Sequence, residues 1–214
     1  ERHQLNIDNY FCKNYNFLIT AMLLKALLEK EYIVKWRISK VIRNFMKKES
    51  LKMKLNYEIV TLPGYRGVGL KWDGSYSEAH TLKDMISTMN ERVIEFEHLI
   101  DPETLLGLSY HLRQDGFTHY SVYEVGEEQR ILEGMVEIYV PEMTYFLTHH
   151  KAGENIAQTY HSISKWLKES EYEPFLDSEQ KYYDPLPIKH ERYPIGRDLK
   201  DPHFDILIPV VKKK

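Results

Sequence analysis

Residues 143–173, MTYFLTHHKAGENIAQTYHSISKWLKESEYE, decide how the chain is read. Met143 to His150 alternates as a strand does. Tyr145, Leu147 and His149 share one face, and Phe146, Thr148 and His150 share the other. At Gly153 the period changes. Ile156, Tyr160, Ile163 and Leu167 then recur at steps of four, three and four, the spacing of an amphipathic helix. The stretch is a strand, a tight turn and a helix that ends in a polar loop.

A similar unit stands earlier. WDGSYSEAHTLKDMISTM (72–89) and KAGENIAQTYHSISKWL (151–167) each place a glycine between a strand and an amphipathic helix, with Gly74 and Gly153 79 residues apart. Each helix is followed by two strands. The fold expected is therefore α+β: duplicated strand–helix–strand–strand units in an antiparallel sheet, two helices on one face, and a ligand groove at the pseudo-twofold.

The remaining elements follow from local signals. In LNYEIVTLPGYRGVGLKWDG (55–74), Pro63-Gly64 breaks an alternating, β-branched run into two strands. Ser75 to Phe96 reads as helix, with Leu82, Met85, Met89, Val93 and Phe96 on one side. Asp115-Gly116 marks a hairpin between Leu105–Leu112 and Phe117–Val125. Gly134 to Val140 is a further strand. A short strand is expected around Glu179–Tyr183, then a proline-rich surface loop, then a last strand at His203–Val211 with a solubilising lysine tail.

Charge divides the chain. Residues 1–54 hold 12 Lys+Arg against 5 Asp+Glu, and the rest holds 17 against 27, giving −3 in total. That balance argues against a nucleic-acid binder over the whole length. Residues 1–54 read as two helices and residues 55–214 as the sheet domain. The first helix is apolar on most sides. The second, about Val34 to Lys48, carries Lys35, Arg37, Lys40, Arg43, Lys47 and Lys48 beside an apolar stripe. Its basic face is either solvated or set against phosphate, as in the remnant of a DNA-binding domain. The segment also reads as a linker or a homodimer contact.

Cys12 is the only cysteine, which fits a reducing, cytoplasmic setting. The apolar run from Phe17 to Leu28 falls short of the about 20 residues that span a bilayer, so no membrane is implied. Glu1 suggests a fragment of a longer chain. No motif for catalysis, a cofactor or a metal stands out; His149, His150 and Glu154 lack a convincing third ligand.

Five segments in order, LPGYRGVGLKWDG (62–74), GLSYHLRQDGFTHYSVYEVG (107–126), the run from Glu133 to Pro174, KYYDP (181–185) and FDILIPV (204–210), resemble the GyrI-like effector-binding domain. That domain forms the ligand sensor of some AraC-type and MerR-type bacterial transcription regulators and also occurs alone. The resemblance covers roughly residues 55–212. It implies a pseudo-twofold sheet with an aromatic groove for amphipathic or cationic small molecules, including multidrug-type ligands. The acid that family members often hold two residues before a tyrosine is Lys181 or Gln180 here.

The ligand-binding residues expected are Trp72, Tyr110, Tyr120, Tyr145, Trp166 and Tyr183, with Glu137, Glu179 and Asp205 as acids. Aromatic faces suit flat organic guests, and a buried carboxylate favours a positive one. The function expected is a small-molecule sensor of a transcription regulator. The alternatives are a small hydrolase using a groove carboxylate and a protein-binding module.

Overall fold

The computed structural model describes residues 56–214; expectations for residues 1–54 lie outside the described residues. The strands are β1 (Tyr57–Leu62), β2 (Tyr65–Ser75), β3 (Thr104–Tyr110), β4 (Gly116–Glu124), β5 (Val136–Val140), β6 (Met143–His150), β7 (Tyr172–Pro174), β8 (Ile188–Pro194) and β9 (Phe204–Lys212). The helices are α1 (Leu82–Glu91) and α2 (Ile156–Glu169). Single 3₁₀ turns at Ala79–Thr81 and Arg92–Glu95 flank α1, so the helical stretch is shorter than the Ser75–Phe96 read from sequence, and Ser75 ends β2 instead.

All pairings are antiparallel. The order is β1-β6-β9-β8-β3-β4-β2-β5, with β7 added beside β9. That order is its own reverse once β1 is exchanged with β5, β2 with β6, β3 with β8 and β4 with β9. Register confirms the symmetry. Tyr65 faces Val140 as Met143 faces Leu62, and both exchanged pairs are 78 positions apart (143 − 65 and 140 − 62). Leu106 faces Val122 as His190 faces Leu207, at offsets of 84 and 85 (190 − 106 and 207 − 122). The duplication read from sequence is therefore a duplication of hydrogen-bonded register. The two halves join where β3 pairs with β8, centred on Gly107 opposite Glu191.

Side chains repeat the relation. Trp72 and His150 are 78 apart, as are Thr81 and Thr159. Trp72 Nε1 donates to Thr81 Oγ1 at 3.0 Å, and His150 Nδ1 lies 2.9 Å from Thr159 Oγ1. In both halves a ring near the strand end ties the strand to a threonine at the start of its helix.

The helix face carries the larger core: Val68, Met89, Leu105, Tyr123, Phe146, Ile163, Leu167, Ile206 and Ile208. Gly153 has φ +80°, which lets β6 turn sharply into α2. Asn155 then caps α2, its side chain accepting from Gln158 N at 3.1 Å. Lys213 closes the other end, its Nζ donating to the Leu167 and Ser170 carbonyls at 2.9 and 2.6 Å. Part of the expected solubilising tail is thus a helix cap.

Three local expectations are corrected. Residues 179–183 form no strand. The proline-rich stretch after them contains β8, a central strand rather than a surface loop. Pro187 and Pro194 fall just outside and at the end of β8, where no ladder N–H is lost from the middle. Gly74 lies inside β2 rather than between the strand and its helix; a Cβ there would meet the Trp72 ring at 2.4 Å.

Candidate functional site

On the helix-free face, Leu106, Leu108, Val122 and Val140 form a second cluster, joined by Tyr65, Tyr110, Tyr120, Ile138 and Met143. No helix residue belongs to it. Strand alternation puts Leu106, Leu108 and Tyr110 of β3 on this face, beside His190 and Arg192 of β8 in register. The middle of the seam is closed by the protein's own side chains: Leu108, Tyr145 and Leu207 are all buried. A cavity lies to each side of that closure.

The first, of about 440 Å³, is aromatic. Tyr110, Ile188, Tyr120, Lys71 and residues 138–141 line it. The segment between β7 and β8 covers it with Phe175, Asp177, Gln180 and Tyr182. Tyr110 meets Tyr120 edge to face at 5.9 Å between centroids, and Lys71 Nζ stands 5.7 Å from the Tyr120 ring. His190 closes the inner wall, with Tyr145 Oη 3.1 Å from its Nδ1 and Tyr110 Oη 3.3 Å from its Nε2. Burial, with Arg192 adding to it, pushes the His190 pKa down to about 3. Burial raises the Tyr110 phenol and pushes Tyr145 up to about 12. Both phenols and the imidazole are neutral at pH 7.

The second, of about 330 Å³, is polar: Thr104, Leu106, Glu124, His149, Arg192, Pro194 and Asp205 line it, with Asp101 and Phe204. His149 Nδ1 lies 2.8 Å from Asp205 Oδ1. Five of these residues are symmetry counterparts of the aromatic cavity's lining. Thr104 replaces Ile188, Leu106 replaces His190, Pro194 replaces Tyr110, Asp205 replaces Tyr120, and His149 replaces Lys71.

The residues singled out from sequence are dispersed over the domain. Tyr110 and Tyr120 line the aromatic cavity, and Tyr145 supports it through His190. Asp205 is on the same face but in the polar cavity. Trp72 and Trp166 are on the helix side, Trp72 against Phe117 and Trp166 against Phe146 and Tyr57. Glu137 is paired with Arg66 at 3.1 Å, Glu179 is exposed in the covering segment, and Tyr183 is exposed beneath Lys181. Because Tyr182 and not Tyr183 lines the cavity, Gln180 holds the position two residues before it, a neutral amide. The acid present is Asp177, whose Oδ1 accepts from Glu179 N at 3.0 Å.

Sequence reading missed Lys71, Phe175, Asp177, Tyr182 and His190. Lys71 was detectable, since it alternates with Tyr65 along β2 on the face away from the helix. His190 is not, because the prolines and charges around β8 give that strand the composition of a loop.

The seam's helix side holds a partly buried polar network. Glu191 accepts from Tyr160 Oη at 2.5 Å and from Tyr193 Oη. Burial raises its pKa against those two hydrogen bonds. Gly107 makes room for it: a Cβ there would meet the Tyr193 ring at 2.6 Å.

A duplicated antiparallel sheet with helices on one face and an aromatic cavity on the other defines a small-molecule-binding domain. The chain matches the GyrI-like small molecule binding domain over residues 55–210, and it belongs to that family. Solved structures share the fold at low identity. The C-terminal domain of EcmrR aligns with TM-score 0.54 at 14% identity, over 75% of this chain and 100% of that one. EcmrR in its complex with DNA gives 0.58 at 13% identity over 82% of this chain; the chain spans 65% of that EcmrR chain. SAV2435 bound to tetraphenylphosphonium gives 0.51 at 14% identity, over 73% and 94%. No curated protein sequence matches the chain. Among the described residues, no helix is long and apolar enough to cross a membrane.

Proposed function

We propose that the domain is the small-molecule sensor of a bacterial transcription regulator, and that the aromatic cavity receives the effector. The cavity carries this reading: about 440 Å³ lined by Tyr110, Tyr120, Tyr139, Tyr182 and Phe175. Ring faces take a flat or amphipathic guest through dispersion and apolar burial without demanding one shape. Asp177 offers a counter-charge to a cationic guest, and Lys71 to an anionic one. The DNA complex of EcmrR and the basic residues 1–54 support coupling to DNA, with residues 1–54 as DNA contact, linker or dimer surface and residues 55–214 as the sensor.

The reading is of binding rather than turnover. Asp177 is the one carboxylate lining the aromatic cavity among the described residues, and it is held by the backbone of its own loop. The test is a melting series with tetraphenylphosphonium, methyltriphenylphosphonium, triphenylphosphine oxide and neutral polycyclic aromatics. A ligand at 100 times its Kd stabilises by about 2.7 kcal/mol, a rise of several degrees. A melting temperature unmoved by every compound refutes the reading.

A further inference from the structure

The hydrogen-bond chain behind the aromatic cavity has a direction. His190 is 4% exposed and neutral, so it has one N–H and one lone pair. One of its two phenol neighbours must donate to it and the other must accept. Tyr145 settles which. It is 2% exposed, and its hydroxyl has no other partner among the described residues. If it accepted from Nδ1, its own O–H would be buried without an acceptor, which is costly. Tyr145 therefore donates to Nδ1, and the proton on Nε2 is donated to Tyr110 Oη. The remaining Tyr110 O–H is left for whatever fills the cavity.

We propose that Tyr110 is a fixed hydrogen-bond donor, and that the aromatic cavity selects aryl compounds bearing an acceptor oxygen: phosphoryl, sulfoxide, carbonyl or carboxylate. The inference deepens the proposed function and rests on it. Lys71 lines the same cavity beside Tyr120 and strengthens the preference with a second donor and a positive charge. Gln180 holds a neutral amide where family resemblance leads one to look for an acid, and Asp177 Oδ1 is already accepting from Glu179 N. The polar cavity lacks this phenol–imidazole pair, since its counterparts to Tyr110 and His190 are Pro194 and Leu106.

Two probes with the same three rings separate this from general aromatic binding. Triphenylphosphine oxide presents a P=O acceptor; methyltriphenylphosphonium puts a methyl group and a positive charge in its place. Titration calorimetry on the full chain is expected to show the oxide binding at least tenfold more tightly. Tyr110→Phe keeps the ring and removes the donor. It is expected to weaken the oxide about tenfold and the phosphonium less than twofold. Tyr145→Phe frees Nδ1, lets the imidazole reverse, and is expected to weaken the oxide severalfold while sparing the phosphonium; a merely structural role would move both probes together. The phosphonium binding more tightly than the oxide, or Tyr110→Phe weakening both equally, overturns the inference and leaves the proposed sensor standing. Binding of neither probe overturns the inference, while the sensor reading falls only if the whole melting series is also flat.

Discussion

The two cavities on the helix-free face occupy equivalent places in a duplicated fold, yet their chemistry is opposite. Where one half has Tyr120 over Lys71, the other has Asp205 bonded to His149. Where one has Tyr110 bonded to His190, the other has Pro194 and Leu106, which can form no such pair. The duplicated fold offers two equivalent frames; different residues at five register positions make one an aromatic cavity and the other a charged recess. The lesson is that register fixes where a site can form, and the side chains at those positions decide what it can hold.

The helix-side core differs between halves in size. Phe146 and Val68 are equivalent, 78 positions apart, and both fully buried. Phe146 also stacks with Tyr57 and touches Trp166. Phe146→Ala is expected to cost about 3–5 kcal/mol. Val68→Ala should cost clearly less, because it removes fewer atoms. Urea denaturation of both variants measures the difference, and equal losses would mean the halves are packed alike.

The comparison of His190 with Leu106 sharpens through pH. The His190 pKa is pushed down to about 3 from an ordinary 6.5. The unfolded chain takes up a proton below pH 6.5 that the folded chain refuses, so stability falls as pH drops from 6.5 toward 3, by about 1.4 kcal/mol per unit. His119, buried between Ser109 and Ser121 with its pKa also near 3, adds a like slope. His190→Leu gives the aromatic end the residue of its counterpart. The loss of stability between pH 7 and 5 should shrink by about 2 kcal/mol, read from urea midpoints at the two values.

Exchanging the walls tests which cavity receives the ligand. Tyr120→Asp should weaken an aryl probe about tenfold, the loss of one ring face and its apolar contact, about 1.4 kcal/mol. Asp205→Tyr should leave that affinity within twofold. The reverse pattern would move the site to the polar cavity.

The smallest expected effect concerns the helix starts. Asn155 caps α2 with its side chain, while Thr81, at the same place before α1, makes no cap hydrogen bond and instead accepts from Trp72. Asn155→Ala should cost about 1 kcal/mol, seen in thermal unfolding.

The fold was legible where periodicity was strong. The change from period 2 to 3.6 at Gly153 and its weaker echo before α1 gave the duplication, the two helices and the face assignment of Tyr145 and Phe146. β8 was hidden because Pro187 and Pro194 bracket it and Lys189, Glu191 and Arg192 give it the composition of a loop. What makes it a central strand is non-local: Glu191 is satisfied by Tyr160 of α2 and by Tyr193. The pairing of Tyr110 with Tyr120 was legible through the Asp115-Gly116 hairpin, whose alternation puts both on one face. Alternation alone could not place Trp72 and Trp166, since either face was open to an aromatic until the helices had covered one. Asp205 shares the helix-free face with Tyr120, but at the other end of the sheet, and that depends on the position of β8.

A crystal structure of the chain with whichever of triphenylphosphine oxide and methyltriphenylphosphonium binds more tightly tests the central claim most directly. The account predicts the three rings packed against Tyr110, Tyr120 and Tyr182 on the helix-free face. Density for the probe among His149, Arg192 and Asp205 instead, or under α1 and α2, would contradict it.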